Sequence, residues 1–385
     1  MIIYRSIRWV SSSPSLSYRR AVNKQKEECQ KCLQLAVIGS PNVGKSLLTN
    51  NIVRSPLSAV SSKMDTTIKN IDVSICDADT QLVLVDSPGA VSISHVKEKM
   101  KDRGDSRNVL SDTEIALQKA QHILVVQDCT APGRYLHHRV MHMLHRYSHV
   151  PSTLVMNKVD LVPDRTQLLP LVEELTTGRV DGSSIQTKSA IIGRLGQHLS
   201  TPKTSQVRDE KWNTLYRNLL QKPTFKCTFS ETKRLFRDVA GWSGFEQVFF
   251  VSSLTGEGVD ELRTHLLNIS PQGKWKYRAG VQTNRSAEQL CEESIRAAVL
   301  DLTPSDIAYN VRPVVSEWRE DGEVLQVVAE IRCNKRREGV VVLGKGGSRI
   351  AEIGRRVNDH MHSLFQRQLY VRLIVTSDGK VVSPK

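Results

Sequence analysis

Gly39-Ser40-Pro41-Asn42-Val43-Gly44-Lys45-Ser46 is the stretch on which the reading of this chain turns. It follows the apolar run Leu33-Gln34-Leu35-Ala36-Val37-Ile38 and leads into a helix-like segment, so it sits where a strand passes into a helix. In that setting a Gly-x-x-x-x-Gly-Lys-Ser string is a phosphate-binding loop. The backbone N–H groups of such a loop surround phosphate oxygens, which makes Gly39, Ser40, Asn42, Val43, Gly44, Lys45, Ser46 and Leu47 the candidate nucleotide contacts. The Lys45 ammonium reaches the β and γ oxygens, and the Ser46 hydroxyl is a ligand for Mg²⁺.

Outward from this loop the chain alternates short apolar runs with amphipathic ones. IDVSIC (71–76), QLVLVD (81–86), HILVVQD (122–128), STLVMNK (152–158) and VFFVSS (248–253) read as strands between helices, the pattern of an α/β domain with a mostly parallel sheet. Only Asp77-Ala78-Asp79-Thr80 separates the first two, so they are expected to form an antiparallel hairpin at the sheet edge.

Further short motifs stand at the ends of these strands. Asp86-Ser87-Pro88-Gly89 offers an acidic residue to the Mg²⁺ shell and the Gly89 N–H to the γ-phosphate. Asn157-Lys158-Val159-Asp160 places a carboxylate where it can accept from guanine N1–H and N2–H₂. Adenine offers no matching donors, so Asp160 selects GTP over ATP. Ser252-Ser253-Leu254 can supply a backbone N–H to guanine O6. Each string alone is weak, but their order and positions together are specific.

The chain has 385 residues, enough for two domains, with an ordinary apolar share of 39% and charged share of 24%. No apolar run reaches the roughly 18 residues of a membrane span. The formal net charge of +14 favours polyanionic partners, either nucleic acid or an anionic membrane face. Seven scattered cysteines (29, 32, 76, 129, 227, 291, 333) argue for a reducing compartment, and Cys29-x-x-Cys32 lacks the second ligand pair that zinc would need.

Residues 1–30 contain Arg5, Arg8, Arg19, Arg20, Lys24 and Lys26 among serines, with no acidic residue before Glu27, the composition of a mitochondrial transit peptide. A basic arm touching nucleic acid is the alternative. Residues 31–270 are read as the nucleotide-binding domain. Within it about 178–245 is a polar insertion, where Trp212, Leu215, Tyr216 and Leu219 are spaced for a short amphipathic helix. Residues 271–285 form a basic linker, and 286–385 a second domain.

In the second domain Leu290, Cys291, Ile295, Ala298 and Leu302 lie at helical spacing. EVLQVVAEIRCN and YVRLIVT are expected as strands around a helix that carries Ile350, Ile353, Val357, Met361 and Leu364. Gly344-Lys345-Gly346-Gly347 is expected between a strand, GVVVL (339–343), and this helix, where small residues let backbone approach phosphates. Lys335, Arg336 and Arg337 upstream, with Arg349, Arg355 and Arg356 on the helix, add positive charge around it. Gly344, Lys345, Gly346, Gly347 and Arg349 are the RNA-contact candidates. His137, His138, His142, His145 and His149 are taken as solvated or partly packed, not as metal ligands.

The nucleotide motifs and the Gly-x-x-Gly string together resemble the Era family of GTPases, over both domains. The resemblance implies a P-loop GTPase domain followed by an α+β type II KH domain. It also implies binding of the 3′ region of small-subunit ribosomal RNA. Asp65-Thr66-Thr67-Ile68 matches the family's first switch, which makes Thr67 the expected Mg²⁺ ligand beside Ser46 and Asp86, with Thr66 the alternative. Ile68, Ser87 and Ser253 depart from the family's usual Arg, Thr and Ala.

Ala90 stands where Ras-like GTPases carry a water-positioning Gln, so intrinsic hydrolysis is expected to be slow, with Lys45, Thr67 and Gly89 as catalytic candidates. The expected protein binds GTP and GDP with Mg²⁺ and acts in the mitochondrial matrix on the assembling small ribosomal subunit. It has no transmembrane segment, and peripheral association with the inner membrane is a further expectation. An RNA chaperone with GTP as a structural ligand, and a membrane-surface GTPase, are the competing readings.

Overall fold

The computed structural model describes residues 29–58, 70–87, 108–185, 210–322 and 324–383. Their first part builds a six-stranded sheet from β1 (Lys31–Gly39), β2 (Ile71–Asp77), β3 (Thr80–Asp86), β4 (His122–Asp128), β5 (Ser152–Asn157) and, after a short hairpin of β6 (Arg179–Val180) and β7 (Ser183–Ser184), β8 (Phe245–Val251). The order is β2-β3-β1-β4-β5-β8, with every pair parallel except β2 with β3. Strands β3, β4 and β5 are buried nearly throughout, as central strands covered on both faces must be. The expected hairpin is present, with β2 at the edge.

One face of the sheet is covered by α1 (Lys45–Val53), whose Leu48 and Ile52 pack on Leu33, Leu35 and Val37. The other carries α2 (Asn108–Lys119), α3 (His138–Arg146), α4 (Leu168–Leu175), α5 (Glu210–Gln221) and α6 (Phe229–Leu235). After β8, α7 (Val259–Asn268) returns to the α1 side through Leu262 and Leu266. The chain moves from β1 outward to β3 and then back to β4 on the far side of β1, which opens a crevice at the carboxyl ends of β1 and β4.

The described parts of the 178–245 interval are more than an insertion on the surface. Leu219, Cys227, Leu235 and Phe236 are buried in the same core as Met141 and Leu154. The apolar contacts come from two short helices and a turn, so no single period runs through the interval. Helix α6 opens with a capping box in which Thr228 and Glu231 exchange side-chain and backbone bonds. The histidines of α3, expected as solvated or partly packed, are packed more fully than that at two positions: His138 and His142 are buried against this same interval.

Residues 271–285 lie along the sheet edge as a strap. Gln81, fully buried, accepts from the Lys276 and Tyr277 N–H groups at 2.8 and 3.0 Å and donates to the Tyr277 carbonyl at 2.9 Å. Tyr277 Oη also donates to Asp72 at 2.6 Å, and Ser74 N–H to the Gln282 carbonyl at 2.7 Å.

The second domain starts at α8 (Ala287–Leu302), whose N-terminus is closed by Ser286 and Gln289 in a capping box. A single turn, α9 (Ser305–Ala308), leads to β9 (Arg312–Asp321) and β10 (Val324–Cys333). These are followed by α10 (Arg336–Leu343), α11 (Ser348–Phe365), β11 (Gln368–Ser377) and β12 (Lys380–Val381). The sheet order is β12-β11-β10-β9, with β10 and β11 parallel. This is the α-β-β-α-α-β arrangement of a type II KH domain, with a core of Ile295, Val299, Val327, Ile331, Val342, Ile353 and Val357.

One expectation fails here: GVVVL is the end of helix α10, not a strand. The Glu338 carboxylate accepts from the Asn334 and Lys335 N–H groups and starts the helix. Parallel β10 and β11 also require a crossover, and the valines bury only one side of it. Strand β9 has no clear signal in the sequence, because its outer positions are charged. No helix among the described residues is long and apolar enough to cross a membrane.

Candidate nucleotide site and nucleic-acid interface

The loop between β1 and α1 is shaped by two glycines. A Cβ on Gly39 would stand 2.4 Å from the Val126 carbonyl oxygen. Gly44 has φ +93°, and a Cβ there would stand 2.4 Å from Asn157 Nδ2. The Lys45 ammonium folds back over the loop and donates to the Ser40 carbonyl at 2.9 Å. Ser46 Oγ donates to Asp86 Oδ2 at 2.7 Å, which brings a helix start and a strand end together in a corner where Asp86 is fully buried. A hydroxyl and a carboxylate are oxygen donors suited to a hard cation, so this pair could hold Mg²⁺.

Asn157 braces the loop from the side. Its Nδ2 donates to the Val43 carbonyl at 2.7 Å, and its Oδ1 accepts from Ser253 N–H and Ser253 Oγ, both at 2.9 Å. Asn51 of α1 joins the same frame by donating to the Ser253 carbonyl. Lys158, in a left-handed backbone conformation at φ 66°, lays its ammonium 2.7 Å from Asp128 at the end of β4. Burial pushes the Asp128 carboxyl up, but hydrogen bonds from Lys158 and Thr130 outweigh it and hold the group below its usual range.

Asp160 and Leu254 are exposed beside this frame. Ser252 N–H donates to the Glu257 carbonyl and Ser253 N–H to Asn157. Leu254 therefore presents the N–H of that trio best placed to meet a base. The two loops are tied together by Arg165, which donates to both oxygens of Glu257 at 2.6 and 2.9 Å. Asp128, Asn51 and the Arg165–Glu257 pair were not found by sequence reasoning. Asp128 does carry a signal, as an acidic residue ending an apolar run, whereas Asn51 has none. Thr66, Thr67, Gly89 and Ala90 lie outside the described residues.

In the second domain Gly344-Lys345-Gly346-Gly347 links α10 to α11 as a helix-turn-helix. Gly344, Gly346 and Gly347 have φ 73°, 59° and 81°, conformations open to glycine. A Cβ on Gly344 would stand 2.7 Å from Arg349 Cβ, whereas Gly346 faces open space and Lys345 is exposed. Backbone can thus come close to a phosphate at Gly346. Positive charge around the turn is less free than the sequence suggests. Arg355 and Arg356 share the Glu352 carboxylate at 2.8 and 3.1 Å, and the Arg349 guanidinium turns back to the Val341 carbonyl. Lys345 and the exposed Lys335, Arg336 and Arg337 carry what remains.

Residues 34–158 match the family model described as a 50S ribosome-binding GTPase. The chain is 63% identical to a protein of Caenorhabditis elegans named GTPase Era, mitochondrial, covering 97% of this chain and 96% of that one. It is 28% identical to the protein of the same name from Salmo salar, covering 90% and 77%. A solved structure of Era with MgGDPNP and nucleotides 1506–1542 of 16S ribosomal RNA superposes with a TM-score of 0.63 at 20% identity, over 92% of this chain and 95% of that one. This last match shows a shared two-domain fold.

Proposed function

Since the chain belongs to the Era family of GTPases and is a GTP hydrolase, we propose that it couples GTP turnover to the binding of small-subunit ribosomal RNA and assists assembly of the mitochondrial small ribosomal subunit in the matrix. One observation carries the reading: a Ser46–Asp86 corner on a phosphate loop, and a Gly-rich turn between two helices on a separate domain of the same chain. The RNA part draws support from the solved Era structure that holds a 16S fragment. The compartment draws support from the names of the relatives and from the acid-free basic N-terminus.

In this reading Lys45 exchanges its carbonyl partners for β- and γ-phosphate oxygens, and backbone N–H groups from Gly39 to Leu47 hold the rest of the phosphate chain. Ser46 and Asp86, with Thr67 or Thr66, would hold Mg²⁺, which would supply positive charge beside the phosphates. Asp160 accepts from guanine N1–H and N2–H₂, and Leu254 N–H donates to O6. Gly89 N–H supports the γ-phosphate. Ala90 offers no side chain to orient water, so unassisted turnover is slow. Residues 344–347 and Arg349 meet the RNA backbone.

The test uses the full chain. Lys45→Ala should lose nearly all GTP binding while keeping RNA affinity. The double variant Lys345→Asp, Gly346→Asp should keep GTP binding and lose RNA affinity. Its dependence on salt should also be shallower, by close to one log–log unit for each phosphate it no longer neutralises. Filter binding across a salt series reads both. Parallel loss of both ligands in either variant would sink the two-site layout.

A further inference from the structure

The second-domain sheet has two faces, and the helices cover only one. Leu325, Val327, Ala329 and Ile331 of β10 point into the core, as do Leu369 and Val375 of β11. Alternation along the strands puts the other set outward. Strand register aligns these in rows: Arg319, Gln326 and Tyr370, then Glu317, Val328 and Arg372, then Val314, Glu330 and Ile374, then Arg312, Arg332 and Thr376. Successive rows are about 7 Å apart along the strands.

Tyr370 is 65% exposed in the first row. Arg319 and Arg372 are exposed in the first two rows and Arg312 and Arg332 in the fourth, while Val314, Val328 and Ile374 make a half-buried apolar floor between them. Four arginines stand against Glu317 and Glu330 on these rows. The two carboxylates pair with Arg319 and Arg332 at 3.1 and 3.0 Å, in exposed contacts easily exchanged for another anion. All four cations are arginine, whose planar guanidinium both chelates phosphate and stacks on bases.

We propose that this outward sheet face is a second RNA-binding surface, on which an unpaired base stacks on Tyr370 and the flanking phosphates are held by Arg319 and Arg372, with Arg312 and Arg332 extending the track. It is separate from the Gly-rich turn, which joins the two helices packed on the opposite face. An aromatic platform among cations is sequence-tolerant, because every base has a π-face. The surface therefore grips single-stranded RNA whatever its sequence. A duplex, with its bases stacked inside, meets only the arginines.

The experiment measures binding of full-length chain to a labelled single-stranded RNA of about 16 nucleotides and to a hairpin of the same composition. Tyr370→Ala should weaken single-strand binding about tenfold, Tyr370→Phe should stay within about twofold of the parent, and hairpin binding should change little with either. Arg319→Ala with Arg372→Ala should weaken both RNAs and flatten the salt dependence. Thermal melts and GTP binding should be unchanged, and ultraviolet crosslinking should mark Tyr370.

In the Lys345→Asp, Gly346→Asp background the residual affinity should fall further when Tyr370 is replaced. If the turn variant binds RNA normally while the sheet variants do not, the turn is wrong and the sheet stands. Unchanged RNA affinity for Tyr370→Ala and for the double arginine variant would overturn the proposal. Were those variants instead to lose co-sedimentation with small ribosomal subunits at unchanged RNA affinity, the face would bind protein, and the RNA assignment would fall with it.

Discussion

Asn157 and Asp160 belong to one four-residue string, yet the fold treats them in opposite ways. Asn157 is buried and engages both ends of its amide in the frame between Val43 and Ser253, while Asp160 is exposed. Replacing them should therefore have different consequences. Asp160→Asn should leave stability unchanged and weaken GTP binding by roughly two to four orders of magnitude, since each of two bonds to a charged acceptor contributes about 1.5–3 kcal/mol. The same variant should gain affinity for xanthosine triphosphate, whose exocyclic oxygen meets the new donor. Asn157→Ala should lower stability by about 2–4 kcal/mol, because three bonds vanish and the Val43 and Ser253 groups lose their partner. Nucleotide titration and chemical denaturation of both variants separate the roles. Equal losses of stability would contradict the division.

Helix α3 shows how an amphipathic element is locked in place by polar partners from the 178–245 interval. His142 lies between Thr224 Oγ1 at 2.8 Å and the Leu219 carbonyl at 3.0 Å, His138 meets Thr232 Oγ1 at 2.8 Å, and His145 meets Tyr216 Oη at 2.8 Å. Burial pushes His137 down to about 4 and His138 down to about 3, and lowers His142 as well. These groups are neutral in the folded chain and take up protons on unfolding below about pH 6.5. Their contribution to stability is thus complete above pH 6.5 and is lost as pH falls from there through 4 towards 3. Melting temperature should drop steadily over that interval, and His138→Gln with His142→Gln should flatten the drop. An unchanged slope in the double variant would place the acid sensitivity elsewhere, for example at His122, also held down to about 4 by burial.

The element scale also separates readable signals from unreadable ones. Thr228-x-x-Glu231 and Ser286-x-x-Gln289 announce helix starts within four residues, although the first of them is hidden inside a polar interval. GVVVL has strand-forming composition, but its fate was set by the need to cross between β10 and β11 and by Gly339, whose missing Cβ leaves room for Val375 and Val382.

Across the whole molecule the two domains meet through few but specific contacts. Arg285 Nη2 donates to the Asn70 carbonyl at 3.2 Å and its Nε lies 3.2 Å from Glu293 of α8. His360 of α11 bridges Ser294 and the Pro56 carbonyl. Asn70 leads into β2, so Arg285 ties the start of that edge strand to α8 of the second domain. Any effect of GTP on RNA affinity in the parent chain should shrink at least twofold in Arg285→Ala, with each ligand's separate affinity changed less. An identical coupling in the variant would remove Arg285 from the route. At the other end of the chain, residues 1 to about 26 should carry a fused reporter into mitochondria, and a cytosolic reporter would refute the targeting reading.

Much of what neighbours along the chain carry was legible without the fold, although GVVVL was read as a strand and is the end of a helix. A strand, a Gly-rich turn and a helix start lie within a dozen residues, so the phosphate loop, the edge hairpin and the Gly-Lys-Gly-Gly turn could be read as strings. The two-domain order followed from those strings and from the resemblance they carry. Which donors and charges are already engaged emerged only once the chain was folded. The pairings of Lys158 with Asp128, Ser253 with Asn157 and Arg356 with Asp301 join residues 30, 96 and 55 positions apart. Strand register alone set Tyr370 and Arg319 in one row, on either side of Gln326. The physical reason is that propensity and turn chemistry act over a few residues. Burial and ion pairing depend instead on which distant segments the core brings into contact, and no local pattern encodes that choice.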